Sequence, residues 1–319
     1  MPHLVGRIFS AAALALFAAA ASGDDYPNRP IRILTAGAGG GVDFGARLIA
    51  QGLSKSLGQP VVVENRGGSA LLVAEPIAKA PPDGYNLLFY GSALWLTPFM
   101  RETTPYDPLG DFAPISLTNR SPNVLVVHPS LPVTSVKELI ALARGRPGAL
   151  NFSSSGMGSG SHLAGELFNS MAGVKLVHVP YKSNAAALVD LLAGQIQLMF
   201  STMTAAVPLM QARKLKALAV TSAQPSALHP DLPTVAATVP GYVAESINAL
   251  FAPAKTPEAI VNRLYSETLR ILGTPEAKER LASAWLEPVG SSPEQLTATM
   301  KSEMGRLGNI LRNSGARAD

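Results

Sequence analysis

The 319-residue chain contains no cysteine. That excludes disulfides, thiolate metal sites, a cysteine nucleophile and lipid attachment through a thiol, so packing must supply the stability. Charge is scarce as well: 15% of residues are Asp, Glu, Lys or Arg, and no block of five like charges occurs. Without a basic stripe the footprint for phosphate backbones is missing, and nucleic acid is not expected as a partner. His128, His178 and His229 are scattered, with no H-x-H or H-x-x-x-H pair, so neither a metal nor any other cofactor is expected. Long hydrophobic runs are missing too. The longest, Ile8–Ala21, has 14 residues, against about 20 needed to span a bilayer. It follows Arg7 and leads into Ala21, Ser22 and Gly23 before the acidic pair Asp24 and Asp25. This is the pattern of a secretory signal over residues 1–23, which implies an exported, periplasmic protein whose charge falls from +4 to +3 with the loss of Arg7.

What is present points to two α/β domains. Apolar residues make up 47% of the chain, and its length suits two cores better than one. From Pro30 onward, short β-branched runs alternate with segments of helical periodicity: IRILTA (31–36) and a helix from Asp43 to Leu57, PVVVEN (60–65) and LLVAEPIAKA (71–80), then YNLLFYGS (85–92). After a Pro-rich, irregular stretch (104–122), NVLVVHP (123–129) resumes the alternation, and Ser135 with Glu138 opens a helix as a capping box. LNFSSS (150–155), KLVHVPY (175–181), IQLMFS (196–201) and LKALAVTS (215–222) are further strands, with a helix over 185–193 among them. INALFAPA (247–254) reads as a strand returning to the first domain. Thr256 with Pro257, and Ser292 with Pro293 and Gln295, open two terminal helices. Strands alternating with helices imply mainly parallel sheets covered on both faces.

Two loops carry the chemical signal. GAGGGVD (37–43) joins a strand to a helix, and glycines there allow positive φ and close approach of a ligand to the free amides that open the helix. It lacks the last glycine of G-x-G-x-x-G and the Gly-Lys-Ser/Thr of a P-loop, which disfavours nucleotides. SSSGMGSGSH (153–162) holds the same position in its own unit and adds serine hydroxyls. Facing each other across a cleft, the loops would clamp an anion. A hydrogen bond to a charged group contributes about 1.5–3 kcal/mol, and micromolar binding needs about 8 kcal/mol, so four or five loop donors suffice without an arginine. Arg47 either neutralises a ligand or lies on a solvated helix face. Tyr181 and Lys182 follow a strand end where they would line the cleft, although Tyr181 equally fits a packing role. Trp95 is read as core. Ser159 and His162 raise the alternative of a hydrolase, but no serine fits G-x-S-x-G, and His162 stands where a surface or capping histidine would.

An ordered series of segments, YPNRPIRI, GGG-x-D, LGQPVVVENR, APPDGYNLL, DFAPI, LVVHPSLP, HLAGELF, VHVPYK, LLAGQIQLMF, LKALAVTS, DLPTVA and LEPVGSSPEQ, resembles the Bug-type extracytoplasmic solute receptors of tripartite tricarboxylate transporters over nearly all of residues 24–319. The resemblance implies two lobes of the type II periplasmic-binding class, a discontinuous first lobe (24–122 and 245–319) and a second over 123–244. It further implies a carboxylate held by loop backbone and water, no catalysis, and delivery to membrane subunits by a monomer that closes on its ligand. A ligand sensor for a membrane signalling protein is the alternative from another class. The expected ligand-binding residues are Ala38, Gly39, Gly40, Gly41, Val42 and Asp43 in the first loop, and Ser154, Ser155, Gly156, Met157, Gly158 and Ser159 in the second. Ser92, Tyr181 and Ser201, at strand ends, complete the set. The chain departs from the family pattern at Ala38, Val42, Met157 and Ser201, where proline, threonine, asparagine and aspartate are usual. These changes lead to the expectation of a ligand with one carboxylate and an apolar body.

Overall fold

The computed structural model describes residues 26–313 apart from 68, 158 and 226–229. The expected signal segment, Gly158 and His229 therefore lie outside the described residues. The chain runs β1 (Ile31–Thr35), α1 (Gly41–Leu57), β2 (Val61–Asn65), α2 (Leu71–Ala78), β3 (Asn86–Gly91), a one-turn α3 (Ala93–Leu96) and β4 (Phe112–Val127). Then follow α4 (Val136–Gly145), β5 (Asn151–Ser154), α5 (Gly160–Ala172), β6 (Val177–Pro180), α6 (Asn184–Leu192), β7 (Leu198–Thr202), α7 (Met203–Gln211) and β8 (Lys216–Val220). β9 (Glu245–Pro253), α8 (Glu258–Gly273), α9 (Pro275–Ser283), the two-residue β10 (Glu287–Pro288) and α10 (Pro293–Asn313) complete the chain.

Local chemistry accounts for these elements. In α1, Leu48, Ile49, Leu53 and Leu57 recur on the buried face, and Gly58 closes the helix at φ +71°. Ser135 Oγ accepts the Glu138 N–H at 3.2 Å at the start of α4, while Glu138 Oε2 accepts from the Thr134 N–H at 2.6 Å, one residue upstream of the expected reciprocal bond. Ser292 and Gln295 make both bonds of the box at α10 (3.2 and 2.9 Å). Thr256 does not cap α8: its hydroxyl donates to the Pro253 carbonyl at 2.7 Å, and the helix begins at Glu258.

The strands follow the order β2-β1-β3-β9-β4-β7-β5-β6, with β8 and β10 also pairing with β4. The β2-β1-β3 and β7-β5-β6 groups are parallel, as the alternation implies. β4 and β9 run antiparallel to their neighbours, so each lobe's sheet is mixed. β4 belongs to both lobes: residues 112–122 pair with β9, and 123–127 with β7. Its first half is the Pro-rich stretch expected to be irregular. The strand tolerates Pro114 because the ladder shifts register between Pro114 and Ser116, and Pro122 is the last residue paired with β9 before the strand changes sheet.

One hydrophobic cluster, from Leu34 and Trp95 through Phe152 and Phe168 to Leu307 and Leu311, runs through both lobes, with α10 packed against α3 and α5. A second fills the outer part of the first lobe around Ile49, Phe89 and Leu264, and a third fills the second lobe around Val126, Met199 and Val207. Trp95 is fully buried core, its Nε1 donating to Glu303 Oε2 at 2.9 Å. Among the described residues no helix is long and apolar enough to cross a membrane.

Candidate functional site

The parallel strands of both lobes aim their C-terminal ends, and the antiparallel β9 its N-terminal end, at a cleft of about 110 Å³. Four helices of nine residues or more start there: α1 behind Gly40, α5 behind Ser159, α6 behind Ser183 and α7 behind Thr202. The first amides of a helix have no intrahelical partner and carry the positive end of its dipole. Lys182 is the one charged residue among those described in the lining, and no carboxylate lines it. The cleft is therefore electropositive and rich in donors.

In the first loop, Gly39 adopts φ +87° and its N–H donates to Asp43 Oδ2 at 3.1 Å. Asp43 Oδ1 accepts from Asn65 Nδ2 at 2.7 Å and Arg47 Nε at 2.9 Å, and Arg47 also bonds Asn65 Oδ1 at 2.7 Å. Burial pushes the Asp43 carboxyl up, but the bonds from Asn65, Gly39 and Arg47 together outweigh it and hold it below its usual value. Asp43 thus braces the loop from behind, and Arg47, 54% exposed, lies on the solvated helix face and bonds Asp43 from there. Gly40, Gly41 and Val42 are left facing the cleft.

The second loop is organised by serines. Ser161 Oγ accepts the Ser155 N–H at 3.0 Å and lies 3.0 Å from Ser159 Oγ. Ser159 Oγ donates to the Gly156 carbonyl at 2.7 Å and accepts the His162 N–H at 3.3 Å as the cap of α5. Behind it, Ser154 Oγ lies 2.6 Å from His178 Nε2, and the His178 ring stacks on His162 at 3.9 Å.

Residues 45–316 match the model of the tripartite tricarboxylate transporter family receptor. The chain belongs to this family. It is 34% identical over 322 residues to BugT of Bordetella pertussis, covering 99% of each chain. It is 36% identical over 292 residues, 90% of this chain and 87% of the other, to a protein of Pseudomonas sp. strain P51 encoded between tcbD and tcbE. Among solved structures, an R. palustris protein with adipate superposes with a TM-score of 0.85 at 37% identity, over 92% of this chain and 99% of that one. MatC of Rhodopseudomonas palustris with bound malate gives 0.82 at 30% identity, over 90% and 99%.

Of the residues singled out from sequence, the receptor places Ala38, Gly40, Gly41, Val42, Ser92, Ser155 and Ser159 on the cleft wall. Gly39 is exposed at the loop, outside the lining, its amide bonded to Asp43, and Gly156 is buried behind the lining, its amide bonded to Ser154 Oγ. Ser154 and Ser201 are fully buried, because neighbours along a strand face opposite sides and Ser155 and Thr202 take the cleft side. Met157 packs against the main core cluster. The Tyr181 hydroxyl donates to Asp190 Oδ2 at 2.6 Å beside the core of the second lobe, so this tyrosine packs. Lys182, at a strand end, lines the cleft as its position allows, while Ser183, Asn184, Ser246 and Asn248 line it unforeseen. The Lys182 to Asn184 segment does follow a strand and open a helix, the signal already used for the two main loops. Nothing in the sequence marks the β9 residues.

This geometry narrows the grounds of one expectation and corrects another. Met157 and Ser201 do not face the cleft, so of the departures behind the expected apolar-bodied ligand only Ala38 and Val42 bear on its wall. His162 is buried, 1% exposed, because α5 turns it inward against His178 and Phe152. Burial, then His178, push it down to about 3; burial pushes His178 to about 4 and raises Glu166 to about 7. At neutral pH the imidazoles are uncharged, so the 3.7 Å approach of His162 Nε2 to Glu166 Oε1 is not an ion pair.

Proposed function

We propose that the protein captures a small organic carboxylate between its lobes in the periplasm and presents it to the membrane subunits of a tripartite transporter, without chemical conversion. The observation that carries this reading is the convergence of four helix N-termini on a cleft with one lysine and no carboxylate among its described lining residues. Amides of α1 from the first lobe and of α5 and α6 from the second are the donors. Four of them, at about 1.5–3 kcal/mol each to a charged acceptor, supply the roughly 8 kcal/mol of a micromolar complex. The adipate and malate in related structures are small organic carboxylates, in keeping with this.

The lobes, 24–122 with 245–319 and 123–244, hinge where β4 passes from one sheet to the other beside the start of β9. Closure is permitted by Gly37 and Gly67 of the first lobe, which meet the Lys182 backbone of the second: a Cβ on either would lie within 3.6 Å of the Lys182 carbonyl. Ligand closes the cleft by bonding both lobes at once, and the closed monomer is what the membrane subunits recognise. The test is a thermal-shift and calorimetric panel of small carboxylic acids against their neutral amides. A ligand at 100 times its Kd adds about 2.7 kcal/mol of stability. Acids that stabilise the protein while amides do not support the clamp; amides acting as well as acids refute it.

A further inference from the structure

One hydrogen-bonding atom in the cleft has its role forced by its neighbours. Asn248 of β9 lies between Gly91 of β3 and Asn119 of β4 in the sheet and is 1% exposed. The Thr118 hydroxyl donates to the Asn248 carbonyl at 3.0 Å, so Thr118 Oγ1 is left to accept, and it does so from Asn119 Nδ2 at 3.0 Å. Asn119 Oδ1 is therefore the acceptor end and takes the Asn248 Nδ2 proton at 2.7 Å. The amide orientation of Asn248 follows from these committed donors. Its Oδ1 is buried and has no partner among the described residues.

Asn248 and Gly91 both line the cleft, and the missing side chain of Gly91 leaves open the space beside this oxygen. A Cβ there would stand 3.5 Å from Asn248 Oδ1 and 2.7 Å from the Ile247 carbonyl. The serine hydroxyls of the wall turn to donate or accept and so select neither, whereas an amide oxygen only accepts. Asn184 Oδ1 is also buried without a partner, but its amide bonds the Thr202 hydroxyl, which suits either end, so that residue dictates nothing.

We infer that Asn248 reads a neutral hydrogen-bond donor on the ligand, so that the preferred solute is a hydroxy-substituted carboxylate over its deoxy counterpart. This rests on the carboxylate reading above. The donor is a hydroxyl because an ammonium would face Lys182 and four helix N-termini with no carboxylate in the lining to balance it. A ligand hydroxyl would pair this buried oxygen, whereas a ligand without one leaves it unpaired, and that difference favours the hydroxy acid.

Calorimetry on the purified protein with three matched pairs tests this: malate and succinate, 2-hydroxyglutarate and glutarate, 3-hydroxyadipate and adipate. In the pair that binds most tightly, the hydroxy acid is expected to bind at least tenfold more tightly than its partner. In Asn248→Ala that ratio falls towards one, whatever the absolute affinities; Asn248→Ser, which keeps a small polar group beside Asn119, carries the same measurement if the alanine variant does not fold. Equal binding within the pair, or a ratio that survives in the variant, overturns the inference and leaves the clamp standing. Aspartate or glutamate binding more tightly than the hydroxy acids overturns the choice of hydroxyl. No binding by any acid overturns both readings.

Discussion

Replacing Asp43 by alanine should weaken ligand binding without any ligand contact being lost. The carboxylate accepts three bonds, from Gly39 N–H, Asn65 Nδ2 and Arg47 Nε. A bond to a charged acceptor contributes about 1.5–3 kcal/mol, but the Arg47 side chain is 54% exposed, which leaves that pair about 0–1 kcal/mol. Solvent reaches the freed donors and offsets part of the loss, so the expected destabilisation is about 2–4 kcal/mol by the same accounting. Affinity suffers separately. Gly39 holds φ +87° against Asp43, and once released, one or two loop residues must be ordered on binding, at about 1–2 kcal/mol each. That corresponds to a loss of about fivefold to several hundredfold in affinity. Calorimetry with the best carboxylate at pH 7, beside thermal unfolding of the free protein, measures both. The sign with pH follows from the lowered carboxyl: its contribution is complete above the unfolded value near 4 and is lost as pH falls below it, through the folded value. Wild type should therefore lose stability in that acid range faster than Asp43→Asn. Affinity within twofold of wild type in Asp43→Ala, with unchanged melting, would refute the bracing role.

Two further predictions concern the second lobe. A Cβ on Gly165 would lie 2.1 Å from Phe152 Cε2, so Gly165→Ala should overpack the core beneath the second loop, cost about 1–3 kcal/mol or more and lower the melting temperature; unchanged melting would show that Phe152 has room to move. Burial raises the Glu166 carboxyl to about 7, so the folded state holds an extra proton between about 4.5 and 7, and stability falls as pH rises through that window. Glu166→Gln should thus melt higher than wild type at pH 8, by up to about 3 kcal/mol of stability, with the gap closing by pH 4; a gap independent of pH would sink the assignment.

Much of this molecule can be read without coordinates where the signal is local. The helical spacing of Leu48, Ile49, Leu53 and Leu57, the Ser292 and Gln295 box, and the strand–glycine–helix units before Asp43 and His162 are each contained within a few residues. Thr256 shows how far such signals reach: the residue type permits a cap, but the preceding strand end claims its hydroxyl. The first half of β4 was illegible because prolines argue against a strand unless a bulge or a change of sheet absorbs them, and both are set by a partner strand far away in sequence.

The cleft divides along the same line. Sequence alone determined a chain of two α/β lobes with two glycine- and serine-rich loops opening helices, because φ freedom, capping and periodicity are properties of neighbouring residues. Only the tertiary structure decided which loop groups face a ligand and which brace the loop. Asp43 turns to Asn65 and Arg47, Ser154 to His178, and Met157 to the core, through contacts 4 to 24 residues apart and beyond. It alone brought Asn248 against Asn119, some 129 residues away, and Gly91, and so fixed the orientation of an acceptor that cannot donate. Amide orientation depends on a hydrogen-bond chain across three strands, and no window of sequence contains it.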